Sequence, residues 1–174
     1  MVAQNGPIRI MFAGGGTGGH LYPAMRLAEG ARVFAQNRGL PDPEIAFIGN
    51  EDGLEGRMLS GKETFFAIDV QSFHRGSIAT MITKNLAFLG KLLKSYVRSN
   101  AILEKFAPDI MVGTGGYVSG PPVYAAAKME IPTLIQEQNS YPGVTTRLLA
   151  KHAQEIHVAY EEAAERLDKK KRQN

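Results

Sequence analysis

The heptapeptide Gly14-Gly15-Gly16-Thr17-Gly18-Gly19-His20 follows a mostly apolar run at 8–13 and precedes an amphipathic segment that starts at Leu21. No other feature narrows the fold as much. Glycines there let the backbone turn sharply between a strand and a helix and let it approach a ligand closely. A helix starting just after them aims free N–H groups and the positive end of its dipole at any bound anion. His20 stands at that start and can move a proton near neutral pH. The combination points to transfer chemistry on a phosphorylated substrate; a tight turn with no ligand is the plainer alternative. Gly14, Gly16 and Gly19 satisfy the G-x-G-x-x-G count of dinucleotide sites. That fingerprint also needs an acidic residue roughly 20 residues on, and Glu51 lies too far along, so a nicotinamide site is a poor fit.

Short apolar runs at 8–13, 45–49, Thr64–Ile68, 109–112, 133–136 and 155–159 read as strands. Helical patterns at 22–38, 54–60, Ile78–Phe106, 119–129 and 144–151 alternate with them. Such alternation predicts an α/β domain, a parallel sheet with helices on both faces. Ligands of these sheets bind beyond the carboxyl ends of the strands. A second glycine cluster, Gly113-Thr114-Gly115-Gly116-Tyr117-Val118-Ser119-Gly120-Pro121-Pro122, follows the fourth strand at that same edge. Ser119 as an N-cap and Pro121 in a first helical turn account for a helix start. Gly113, Gly115 and Gly116 call for something more, and the two clusters are expected to wall one cleft.

A polar run, Gln136-Glu137-Gln138-Asn139-Ser140, leaves the fifth strand before Pro142-Gly143. Its amides and carboxylate suit sugar hydroxyls; a capped loop is the alternative. Glu137 either orients His20 or binds a hydroxyl. His74, His152 and His157 lack comparable settings, and no spacing suggests a metal site. The chain has 174 residues, 44 % of them hydrophobic and 21 % charged, a net charge of +3 and no cysteine. One globular domain is expected, and thiol catalysis and cysteine-ligated zinc are excluded. Lys169-Lys170-Lys171-Arg172 reads as a solvated tail, not a nucleic-acid patch. No run reaches the ~20 apolar residues of a membrane span, and no signal peptide opens the chain, so the expected setting is cytosolic.

The third helix has an unusually wide apolar arc. Ile78, Ile82, Leu86, Leu89, Leu93, Tyr96 and Val97 form one stripe, and Met81, Phe88 and Leu92 broaden it. Lys84, Lys91 and Lys94, with Arg75 and Arg98, flank it. Burial of the entire arc is one reading. A patch resting on an anionic bilayer, made by Ile78, Met81, Phe88, Leu92, Lys84 and Lys91, is the other.

The glycine loop with Leu21-Tyr22-Pro23-Ala24, then Gly115-Gly116-Tyr117-Val118-Ser119-Gly120-Pro121, then Glu137-Gln138-Asn139, closely resembles the MurG family of peptidoglycan N-acetylglucosaminyltransferases. The resemblance runs to about Tyr160. It implies the N-terminal, Rossmann-like half of a GT-B glycosyltransferase over residues 1–160, a charged helix or tail at 161–174, and a donor domain outside this chain. The implied reaction is inverting transfer of N-acetylglucosamine from UDP-N-acetylglucosamine to lipid I, giving lipid II for the cell wall at the cytoplasmic face of the membrane. No cofactor or protein-bound metal is implied. By resemblance His20 is the base. Gly15, Gly16, Gly18, Gly19, Gly115, Gly116, Tyr117 and Ser119 meet the acceptor diphosphate. Thr17, Gly18, Gly19 and Asn139 meet the donor, and Glu137 and Gln138 are polar cleft residues. An acceptor-binding subunit of a split transferase and a non-catalytic nucleotide-binding module are the alternatives.

Overall fold

The computed structural model describes residues 6–71 and 78–171, with 78–88 and 168–171 described by their backbone alone. The elements run β1 (Arg9–Gly14), α1 (Gly18–Arg38), β2 (Glu44–Asn50), α2 (Leu54–Leu59), β3 (Thr64–Ile68), α3 (Ile78–Phe106), β4 (Ile110–Gly115), a 3-10 turn (Tyr117–Ser119), α4 (Gly120–Lys128), β5 (Thr133–Glu137), α5 (Val144–Leu149), β6 (Glu155–Val158) and α6 (Glu161–Lys171). The six strands form one sheet in the order β3-β2-β1-β4-β5-β6, and every pairing is parallel.

The central strands are apolar on both sides because both faces are covered. Met11, Ala13, Ala46, Ile48 and Met111 point into one cluster, which Ile102, Leu103, Val123 and Leu149 complete. Phe12, Ile45, Phe47 and Val112 point into the other, under Leu21, Ala24 and Ala28 of α1 and Leu59 of α2. Phe12 and Phe47 stack there with ring centroids 5.5 Å apart. Alternation along each strand thus feeds two cores at once.

Two local features depart from the sequence reading. Helix α1 begins at Gly18, one turn before residue 22, and carries Pro23 inside it. Proline has no N–H, so the carbonyl of Gly19, four residues back, loses its helical donor. In α3, Leu89, Leu93 and Val97 of the expected core stripe are exposed. The described part of the helix packs instead through Ser95, Ser99, Ile102 and Leu103, with Tyr96 tilted against Tyr124 of α4 at 5.8 Å. The reason is polar. Ser95 Oγ donates to the Asp69 carbonyl and Ser99 Oγ donates to the Ser95 carbonyl at 2.7 Å. Small hydroxyls that satisfy themselves on backbone can face a core, and hydrophobic periodicity does not register them.

Candidate functional site

The strand order reverses between β1 and β4, whose successors lie on opposite flanks of the sheet. Both glycine loops leave the sheet there, at the point where parallel α/β sheets open a crevice. The loops touch each other. Gly16, Gly115 and Gly116 have φ of 80°, 98° and 81°, values that side chains other than hydrogen rarely tolerate. The missing side chains admit the imidazole of His20 between the loops: a Cβ on Gly115 would lie 2.8 Å from its Nδ1.

His20 is in the first turn of α1, and Thr114 holds it at two points. Thr114 Oγ1 donates to the His20 carbonyl at 2.7 Å. The Thr114 carbonyl lies 3.2 Å from Nδ1. Gln138 Nε2 approaches the same Nδ1 at 2.6 Å and donates to the Gly19 carbonyl at 2.8 Å. Nε2 of His20 has no protein partner among the described residues. Thr17 and Gly19 are exposed at the mouth and Gly18 is half-buried. The Tyr117 ring lies over Gly16, where a Cβ would come within 2.7 Å of it, and its hydroxyl is 3.5 Å from Asn50 Nδ2.

Three side chains do something other than the sequence suggested. Glu137 does not reach His20, nor does it face the cleft. Its buried carboxylate accepts from Asn139 N at 3.0 Å, Asn139 Nδ2 at 2.8 Å and Gly143 N at 3.1 Å, and so shapes the 138–143 loop from below. Burial pushes its pKa up, but hydrogen bonds from Thr146, Asn139 and Gly143 outweigh burial and leave the carboxyl below the usual range. Its neighbour Gln138 is the residue on His20. Ser119 does not cap α4: its hydroxyl donates back to the Gly116 carbonyl at 2.9 Å and fixes the turn of the second loop. Asn139 is exposed, anchored through its amide nitrogen.

The sequence reading missed Glu55. Its side chain is 1 % exposed, and its carboxylate accepts from Gly16 N at 3.0 Å and Asn50 N at 3.1 Å. A Cβ on Gly15, Gly49 or Gly53 would meet this carboxylate or its stem within 2.7 Å. The signal was present: Gly49 and Gly53 closely precede Glu55 in sequence, a cluster that a plain strand-to-helix turn does not need.

Beyond Tyr117 a second space opens, a cavity of about 740 Å³ lined by Asn50, Asp52, Asp69, Lys94, Arg98 and Tyr117 among others. Lys94 and Arg98 belong to α3 and flank the exposed Leu93 and Val97. Of the expected membrane patch, Leu92 is half-buried and Lys91 pairs with Asp69 at 3.1 Å. The side chains of Ile78, Met81, Lys84 and Phe88 lie outside the described residues, as do His74 and Arg75. His157 is exposed and 2.9 Å from Glu155. His152 stacks edge-on against Tyr124, with its pKa lowered by burial and by Lys151 and Lys128. No helix among the described residues is long and apolar enough to cross a membrane.

Residues 10–158 match the glycosyltransferase family 28 N-terminal domain. The UDP-N-acetylglucosamine–N-acetylmuramyl-(pentapeptide) pyrophosphoryl-undecaprenol N-acetylglucosamine transferase of Bacillus subtilis (strain 168) is 41 % identical over 157 residues, 90 % of this chain and 41 % of that protein. The transferase of the same name from Prosthecochloris aestuarii is 42 % identical over 157 residues, again 90 % of this chain and 42 % of its own. The chain thus spans about two fifths of the length of the curated relatives it matches. Among solved structures, Acinetobacter baumannii MurG superposes with a TM-score of 0.69 at 27 % identity, covering 90 % of this chain and 42 % of that one. The UDP-GlcNAc 2-epimerase of Methanocaldococcus jannaschii shares the fold alone, at TM-score 0.54 and 15 % identity. With a parallel sheet in doubly wound order, two glycine loops at its switch point and this family match over most of its length, the chain belongs to glycosyltransferase family 28, whose N-terminal domain it carries.

Proposed function

We propose that this chain is the acceptor-binding half of an inverting N-acetylglucosaminyltransferase that converts lipid I to lipid II with UDP-N-acetylglucosamine as donor. The observation that carries the reading is the imidazole of His20, held between two glycine loops at the start of α1 with Nε2 left without a protein partner among the described residues. The acceptor diphosphate lies against the loop at 15–19 and the N-terminus of α1, where backbone N–H groups and the helix dipole favour an anion. The rest of the acceptor extends past Tyr117 into the cavity beside Lys94 and Arg98. The acceptor C4 hydroxyl gives its proton to Nε2 of His20 as its oxygen bonds the anomeric carbon of the donor. The bond from that carbon to UDP breaks, and UDP leaves with the electron pair. The donor's nucleotide is held mainly by a second domain, with Thr17, Gly18, Gly19 and Asn139 touching it from this side. The donor is a substrate, and the reading calls for no resident cofactor.

The exposed Leu89, Leu93 and Val97, next to Lys94 and Arg98, form the face that rests on an anionic membrane surface. A lipid-tethered acceptor cannot leave the bilayer, so the cleft must come down to it. The test is titration of the chain with a soluble lipid I analogue and with UDP-N-acetylglucosamine, then transfer after adding a separately produced donor domain. Binding of the analogue and restored transfer are expected. Binding of the nucleotide sugar alone, with no affinity for the analogue, would overturn the acceptor assignment.

A further inference from the structure

We infer that Gln138 is a positioning residue that selects which ring nitrogen of His20 carries the proton. The inference rests on His20 being the base proposed above, and it concerns the state of that base before the acceptor arrives.

Nδ1 of His20 faces two groups with opposite demands. The Thr114 carbonyl, at 3.2 Å, can only accept and asks for a proton on Nδ1. The Gln138 amide nitrogen, at 2.6 Å, can only donate and asks for a lone pair. A neutral imidazole has one N–H and satisfies one of them. The direction of the Gln138 amide therefore decides, and Gly19 decides the amide. Pro23 cannot donate to the Gly19 carbonyl, which is left open inside α1. Gln138 Nε2 takes it at 2.8 Å. With the amide turned over, Oε1 would face that carbonyl, acceptor against acceptor. The amide nitrogen thus stays on the loop side and its second hydrogen points at Nδ1.

The proton of the free chain consequently resides on Nε2, the nitrogen that the proposed reaction uses. In that state His20 donates a hydrogen bond and cannot take a proton there. Becoming a base requires Nε2 to release its proton to solvent and Nδ1 to acquire one, which the Thr114 carbonyl then accepts. That exchange requires the Gln138 amide to release Nδ1. The amide is free to do so on its far side, because Gln138 Oε1 is buried with no hydrogen-bond partner among the described residues to hold it. The glycine loop is therefore coupled to the base: a ligand that draws Gly19 away from Gln138 frees the amide and licenses the competent tautomer.

The test reads the ring nitrogens of His20 by NMR in the chain labelled with ¹⁵N-histidine, at about pH 8.5, roughly two units above the ordinary imidazole pKa. The His20 signals are assigned by their loss in His20→Gln. The wild type is expected to carry its proton on Nε2. Gln138→Leu removes the competing donor and should move the proton to Nδ1, onto the Thr114 carbonyl. Gln138→Glu, whose carboxylate can only accept, should do the same and serves if the leucine variant does not fold. A wild-type proton on Nδ1 overturns the inference, and so does a wild-type tautomer retained in either folded variant. A purely structural Gln138 would leave the tautomer unchanged. The readout is independent of transfer, so a His20→Ala enzyme with normal turnover would remove the base assignment and leave this result standing.

Discussion

Gly116 lies so close to the Gly15 carbonyl that a Cβ on it would fall 2.2 Å from that oxygen. The two glycine loops are in contact because neither has a side chain at this point. Gly116→Ala adds this clash to a φ of 81°. Strain and overpacking of this kind cost about 1–3 kcal/mol each. The variant should melt lower by roughly 5 °C or more, at about 2–4 °C per kcal/mol for a chain of this size. Gly120→Ala is the control, since its Cβ would make an ordinary contact of 3.6 Å with Thr145. Equal melting of the two variants would show that the loops do not touch.

His20→Ala in a two-domain enzyme should lower turnover about 100-fold or more, the usual cost of losing a general base. Steady-state kinetics check this, with kcat falling and KM for the nucleotide sugar little changed. Near-normal kcat would reduce His20 to a spacer between the loops.

Glu55→Gln replaces one acceptor oxygen of a buried carboxylate with an amide nitrogen. Of the Gly16 and Asn50 N–H groups that the carboxylate now satisfies, one would face a donor. A buried donor left unmade costs about 1–3 kcal/mol. Amide hydrogen exchange at Gly16 and Asn50 should accelerate selectively; unchanged protection at both would mean that Glu55 does not hold the loop.

Glu137 gives the fold a pH dependence of definite sign. Its folded pKa lies below its ordinary value, so its carboxylate contributes stability above the unfolded pKa of about 4.3. That contribution fades as the pH falls through the depressed folded value. Urea midpoints of wild type and Glu137→Gln should differ most near neutral pH and draw together as the pH falls below the ordinary carboxylate range. A gap that stays constant over that range would assign the effect to shape alone.

The exposed face of α3 should bind anionic vesicles. Leu93→Asp combined with Val97→Asp, at positions 64 % and 58 % exposed, should abolish sedimentation with vesicles of mixed anionic composition and leave the fold intact. Salt should weaken wild-type binding only in part, since it screens the charges and not the apolar contact. Equal binding by the variant would move the membrane face elsewhere.

Much of this architecture was legible in the sequence because the strands are buried on both faces and announce themselves as apolar runs. The glycine loops were legible for a related reason: a run such as Gly14-Gly15-Gly16 has no packing value of its own. What the sequence hid was polar. Hydrophobicity alone assigned Leu89, Leu93 and Val97 to the core, while the helix packs on Ser95 and Ser99, whose hydroxyls are satisfied on backbone. Glu137 and Gln138 were indistinguishable as neighbours at a strand exit, and the pleat turned one under the loop and the other onto His20. Glu55 was marked only indirectly, by the glycines that make room for it, because its two partners are backbone amides, which have no letter in a sequence.

The pairing of β1 with β4 also sets when this site can exist. Thr114 and His20, which grip each other across it, are 94 residues apart in the chain, and joining segments so distant carries a loop-closure cost that must be met before the contact rewards it. A chain emerging from the ribosome presents the first glycine loop early, with α1 behind it, yet has no second wall until β4 has followed α3 into the sheet. The cleft accordingly cannot form before β4 has joined the sheet, and a polypeptide cut short anywhere before β4 would carry the first glycine loop and His20 without ever acquiring the second wall.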